Sequence, residues 1–220
     1  MSKSLSIDTA AYIPSPSRSS AYLDWLQMLT GAALILFMWA HMILVASVII
    51  GPGVMNAIAH FFEATYMAQV GGPLIGLVFL LHFILAARKI PFRAEQQSRI
   101  WKHSRMLAHK DTWLWLVQVI TAMLILIMGA IHMWVVLTDL PITAEKSAAR
   151  IQGGFWMGFY LFLLPLVELH VGVGLYRIAV KWGFVGRDKR PKMQRFEYVI
   201  TAVFICIGLV ALLRFYFLAL

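Results

Sequence analysis

Five apolar runs, each long enough to cross a bilayer, constrain this chain more than any other feature. They extend approximately over residues 25–50, 67–89, 113–137, 154–181 and 196–220. A helix rises 1.5 Å per residue, so about 20 residues span the roughly 30 Å of hydrocarbon. Inside hydrocarbon every backbone N–H and C=O needs a partner within its own segment, which makes each run a helix. Hydrophobic residues form 61% of the 220 and charged residues 13%, too few polar positions to clothe a separate soluble domain. The expectation is one all-α integral membrane domain, a five-helix bundle over residues 25–220. A cytoplasmic arm over residues 1–24 precedes it. The opening "MSKSLSIDTAAYIPSPSRSS" is polar and Ser/Pro-rich, without the apolar core of a signal peptide.

The distribution of charge orients the bundle. Residues 88–110 carry seven Lys/Arg, residues 177–195 carry seven more, and Lys3 and Arg18 lie in the arm. On the other side, residues 51–66 carry none, and the connection after the third run has only Lys146 and Arg150. Sixteen against two is a strong positive-inside asymmetry. It predicts a cytoplasmic N-terminus and, after five spans, a C-terminus on the far side of the membrane. The same asymmetry argues against nucleic acid as the reason for the net charge of +9. Two explanations of the basic faces stay open, anionic lipid headgroups and a docking surface for a soluble partner. The single cysteine, Cys206, excludes an internal disulfide, a CxxCH haem attachment and an iron–sulfur cluster held by this chain alone.

Four of the seven histidines lie inside apolar runs, one on each of the first four: His41, His82, His132 and His170. Because successive helices alternate direction, depth follows from residue count. His41 and His132 lie roughly 24–29 Å from the cytoplasmic face, and His82 and His170 roughly 10–17 Å. An outer pair and an inner pair result. Two neutral imidazoles at one depth on different helices are the ligand set of a bis-histidine b-type haem, and a bundle core is where such sites are built. Small residues on the ligands' own faces would give a porphyrin room: Gly129, Gly174 and Ala86, whereas the first helix offers only Val45 at that spacing. A zinc or copper transporter is the main rival. The twelve methionines scatter without a Met-x-x-Met repeat, and two pairs separated by around 10–15 Å suit two haems better than one metal ion.

At this point the residues resemble a known family. Five spans with interior histidines on the first four look like the dihaem cytochrome b subunit of quinol:fumarate reductase and succinate:menaquinone oxidoreductase. Respiratory bc-type cytochromes, with ligands paired along two helices, fit less well. The resemblance implies two haems b between the first four helices, His82 and His170 on the proximal one and His41 and His132 on the distal one. It also implies menaquinol (or menaquinone) as substrate, a flavoprotein subunit with covalent FAD, and an iron–sulfur subunit on the cytoplasmic face. The complex is expected to be a homodimer. A dihaem cytochrome b serving a hydrogenase or formate dehydrogenase is the alternative.

The resemblance extends to polar groups. Glu63, in "HFFEATYMAQ", matches a glutamate beside the menaquinol site, where a carboxylate can accept a proton from the quinol. Gln27, Trp115 and Lys181 match groups around the proximal propionates, and Arg150 matches a partner of the distal ones. In "LPLVELHVGVGLYR" an ionisable residue at membrane depth costs about 2.5 kcal/mol or more, so both Glu168 and His170 need a purpose. Two residues apart on a helix, they point about 200° apart and cannot share one site. Pro165 removes a backbone hydrogen bond nearby and is expected to open room for water. In the family, a glutamate two residues before this histidine belongs to a proposed proton route, which assigns Glu168 to proton transfer.

Overall fold

The computed structural model describes residues 17–219, and every regular element among them is helical. Residues 1–16 of the expected arm lie outside the described residues. The elements are α1 (Arg18–Ala46), α2 (Pro52–Ala64), α3 (Gly72–Ala87), α4 (Ala94–Leu107), α5 (Lys110–Leu137), α6 (Ala144–Gln152), α7 (Phe155–Lys181) and α8 (Arg190–Tyr216). Five segments are long and apolar enough to cross a membrane: Arg18–Ile49, Met67–Ala87, Lys110–Leu137, Phe155–Lys181 and Arg187–Tyr216.

Three helices start well before their apolar runs. Helix α1 begins seven residues before the first run, α5 three before the third, and α8 six before the fifth. Hydropathy stops where side chains turn polar, but the backbone ladder keeps its hydrogen bonds into the headgroup region and continues. Three further helices, α2, α4 and α6, occupy what the sequence reads as connections. Before α3 the chain makes a wide turn over Met67–Gly71, entered through Tyr66 at φ 59°. Helix α7 runs unbroken through Pro165.

Helix α7 is central, touching α1, α5, α6 and α8, while α3 packs on α1 and α5. The best-buried apolar cluster lies where α1 ends and α8 ends. There Val48, Met55, Ala144, Ala148, Ile151, Ala211, Leu212 and Phe215 pack under the short helices α2 and α6. Gln152 closes that cluster by donating to the carbonyls of Phe215 and Leu218, acceptors that the end of α8 leaves free. Asn56 on α2 accepts from the Ala144 N–H at 2.7 Å and so ties α2 to the start of α6.

Charge pairs mark the two ends. Where α1 begins, Asp24 takes Lys89 at 2.6 Å, Lys181 at 2.7 Å and Arg88 at 3.2 Å, joining α1, the end of α3 and the end of α7. At the opposite end Asp139 takes Arg150 at 2.7 Å and Lys146 at 3.1 Å.

Candidate functional site

Each of the four membrane histidines sits on a different long helix: His41 on α1, His82 on α3, His132 on α5 and His170 on α7. Towards the end where α1 begins, His82 and His170 each meet a threonine of a neighbouring helix. Thr30 Oγ1 on α1 lies 3.0 Å from His82 Nδ1, and Thr121 Oγ1 on α5 lies 3.0 Å from His170 Nδ1. Both threonines donate their single hydroxyl proton backwards along their own helix. Thr30 donates to the Leu26 carbonyl at 2.9 Å, and Thr121 to the Val117 carbonyl at 2.7 Å. A carbonyl oxygen can only accept, so that proton is committed, and each hydroxyl meets its imidazole as an acceptor. Each ring therefore carries its proton on Nδ1 and keeps the Nε2 lone pair free for a metal.

Small residues make these approaches possible. A Cβ on Gly31 would stand 2.9 Å from His82 Cε1, inside contact distance, so the glycine beside Thr30 admits the ring of the neighbouring helix. The first helix thus does supply a glycine, but for His82 rather than for its own His41. Gly174 faces Gln118, whose amide donates to the His170 carbonyl at 3.2 Å. Gly129 only makes an ordinary contact with Phe79.

The second pair, His41 and His132, comes together with ring centres 5.9 Å apart and planes at 65°. Phe37, one turn before His41, stacks on it at 5.8 Å. Tyr160 of α7 places its hydroxyl 3.0 Å from His132 Nδ1, again occupying the nitrogen that a metal would not use.

These residues fit bis-imidazole metal ligation. Two imidazoles bound about 2 Å on either side of one iron have ring centres about 6 Å apart, close to the outer pair's separation. Three of the four rings have Nδ1 engaged by a hydroxyl, the orienting arrangement that metal-binding histidines use. Near the inner pair, Gln27 Oε1 and Gln118 Oε1 are buried acceptors without a protein partner. His41, His82, His132 and His170 could hold two such groups, with Gln27 within reach of the inner one.

The other sequence-derived positions divide by place. Glu63, between the first two apolar runs, lies on α2, and its carboxylate accepts from the Ile142 N–H at 2.7 Å. Arg150, on α6, is largely covered and pairs with Asp139, while the Lys146 ammonium hydrogen-bonded to Asp139 holds that carboxyl below its ordinary value. Lys181 at the end of α7 pairs with Asp24, and Trp115 is half-buried near the start of α5. Glu168 is 3% exposed, in the stripe of α7 that continues through Gly172 towards α8, whereas His170 turns to α5. The structure thus separates the two residues of "VELH" as their angular spacing requires. The threonines and Tyr160 escape sequence reading because a lone Thr or Tyr in an apolar helix is common. The signal is Thr30 and Thr121 standing opposite imidazoles, visible only once helices are neighbours.

The succinate dehydrogenase/fumarate reductase transmembrane subunit family model matches residues 94–211. The fumarate reductase cytochrome b subunit of Helicobacter pylori is 37% identical over 199 residues, 86% of this chain and 78% of that protein. The chain belongs to that family. The fumarate reductase cytochrome b subunit of Wolinella succinogenes is 35% identical over 88% of this chain and 80% of its own length. The succinate dehydrogenase cytochrome b558 subunit of Bacillus subtilis is 23% identical over 80% of this chain and 86% of its own length. Membership of the family favours the first of the two classes that the sequence left open, a membrane subunit of a fumarate reductase or succinate dehydrogenase complex.

Proposed function

We propose that this chain oxidises menaquinol near its outer face and conducts the electrons inward to soluble partners that reduce fumarate, or runs the reverse with succinate. The observation that supports this most directly is the set of four imidazoles on four helices, three of them with Nδ1 engaged by a hydroxyl of another helix. When bound, two b haems would supply one-electron carriers. His41 and His132 would hold the outer one, and His82 and His170 the inner one. Anionic propionates call for donors such as Gln27, Trp115, Lys181 and Arg150.

Glu63 is the group we assign to take a proton from the quinol. It stands at the outer end on a helix braced by the Ile142 N–H, and quinol oxidation releases two protons there. Glu168 is assigned to proton transfer across the bundle. An electron moving inward alone works against the membrane potential, about 2.3 kcal/mol per 100 mV, and a proton moving alongside cancels that work. The basic end, with 16 Lys/Arg against two, faces the cytoplasm of a bacterial inner-membrane protein and offers the docking face for an iron–sulfur subunit. Beyond that subunit lies a flavoprotein with covalent FAD, in a complex that we expect to be a homodimer. The two relatives of higher identity are named fumarate reductase subunits, which favours fumarate reduction as the physiological direction.

A pyridine-haemochrome assay on the purified complex tests the central point. Two haems b per chain are expected, and fewer than two would overturn it. Glu168→Gln is expected to keep both haems and to block quinol-driven turnover. Full turnover in that variant would remove the proton assignment.

A further inference from the structure

Asn56 and Glu63 share one face of α2. Seven residues separate them, which falls about 20° short of two full turns and covers about 10 Å along the axis. Both grip the connection that leads from α5 into α6. The Ile142 N–H donates to Glu63 Oε1 at 2.7 Å. Two residues further on, the Ala144 N–H donates to Asn56 Oδ1 at 2.7 Å. Asn56 Nδ2 in turn donates to both carboxylate oxygens of Glu145, at 3.0 and 3.1 Å.

These contacts hold the Asn56 amide in one orientation. A backbone N–H only donates and an ionised carboxylate only accepts, so the amide oxygen faces Ala144 and the nitrogen faces Glu145. Its own backbone N–H and the Asn56 amide hold the Glu145 carboxyl below its ordinary value, which keeps it an acceptor. Ile142 belongs to neither α5 nor α6, and Thr143 beside it is extended at φ −134° and ψ 159°. The Ile142 N–H is therefore placed by whatever fastens this connection. Asp139 ties the connection back to α6 through Arg150 and Lys146. Among the described residues, the hydrogen bonds that tie it to α2 come from Asn56 and Glu63 alone.

We propose that Asn56 is a positioning residue for Glu63. By clamping Ala144 and Glu145 onto α2, it holds the Ile142 N–H against one oxygen of the Glu63 carboxylate and leaves the other to meet the quinol hydroxyl. The inference rests on the assignment of Glu63 to quinol deprotonation. A glutamate side chain turns freely about several bonds, and one charge-assisted hydrogen bond selects a single rotamer only if the donor is itself fixed. Without the clamp the Ile142 N–H moves with its connection, and the carboxylate moves with the N–H. A misplacement of about 1 Å can cost about 100-fold in rate. The loss falls on proton transfer rather than on quinol binding, so kcat drops while KM holds.

The test uses the complete complex with a water-soluble naphthoquinol as donor and fumarate as acceptor. Asn56→Ala is expected to lower kcat about 10–100-fold with KM within about twofold, while haem content and fumarate reduction from an artificial donor persist. Asn56→Asp sets two carboxylates against each other and is expected to be at least as slow. Adding Glu145→Gln to it exchanges donor and acceptor. The amide at position 145 then donates to the carboxylate at position 56, whose other oxygen still accepts from the Ala144 N–H, and most of the wild-type kcat is expected to return. Normal kcat in Asn56→Ala, with Glu63→Gln inactive, would overturn this inference and leave the Glu63 assignment standing. Normal turnover in Glu63→Gln would overturn that assignment, and the role of Asn56 with it. Loss of haem in Asn56→Ala, or no recovery in the double exchange, would show a clamp that serves only the fold and would also overturn the inference.

Discussion

Thr121→Val offers the sharpest test of the inner site. Valine matches threonine in shape but lacks the hydroxyl that accepts from His170 Nδ1–H at 3.0 Å. The ring N–H would then be buried without a partner, at a cost of about 1–3 kcal/mol. The Val117 carbonyl, which takes the Thr121 hydroxyl proton at 2.7 Å, keeps its helical bond and loses only this second one. Losing an orienting partner typically costs 10–100-fold in metal affinity, about 1.4–2.7 kcal/mol, so the two estimates agree. The assay is haem transfer from the detergent-solubilised complex to an excess of apomyoglobin. One of the two haems is expected to leave about 10–100-fold faster in Thr121→Val, while the other leaves at the wild-type rate. A hydrogen bond from Nδ1–H makes the ring a more basic ligand, which favours the ferric state, so the potential of the affected haem is expected to rise. Thr121→Ser keeps the acceptor and should behave as wild type. Unchanged release and potential in Thr121→Val, or equal damage in Thr121→Ser, would refute the reasoning that the hydroxyl fixes the tautomer.

Other substitutions report on separate parts of the bundle. His41→Ala and His82→Ala are each expected to remove one haem and leave the other, read as one haem per chain in the haemochrome assay; loss of both in either variant would mean that the pairs are not independent. Glu63→Gln is expected to abolish quinol oxidation with haem content and artificial-donor activity intact, and normal quinol turnover would count against its role. Asp24→Asn removes the acceptor of three cations that joins α1, α3 and α7, and it is expected to lower the thermal midpoint of the complex modestly, since exposed pairs contribute about 0–1 kcal/mol each. Asp139 is held below its ordinary value by Lys146 and Arg150, so its contribution is present above about pH 4 and lost as pH falls through the lowered value. Asp139→Asn should therefore lower the midpoint slightly at neutral pH and leave it unchanged under strong acid.

Much of the molecule follows from sequence because the bilayer imposes so few solutions. Length and apolarity alone require five helices, and one histidine on each of the first four, at depths set by a fixed rise per residue, sorts them into two pairs. The 200° separation of Glu168 and His170 is likewise a property of a single helix, and the fold keeps it. Shorter helices were less legible. α2, α4 and α6 run only 13, 14 and 9 residues, too short to span a bilayer, so they lack the long apolar run that marks a spanning helix in the sequence. Contacts between helices could not be read at all. That Gly31 admits His82, that Thr30 and Thr121 serve rings 52 and 49 residues away, and that Gly172 admits Thr201 and Glu197 of α8 depend on which helix faces meet. Sequence by itself determined the solvent, the number of spans and the depth of each ionisable group, because these depend on one helix at a time. Only the tertiary structure decided which groups become partners, because rotation and packing of one helix against another are set by side-chain fit along the whole interface.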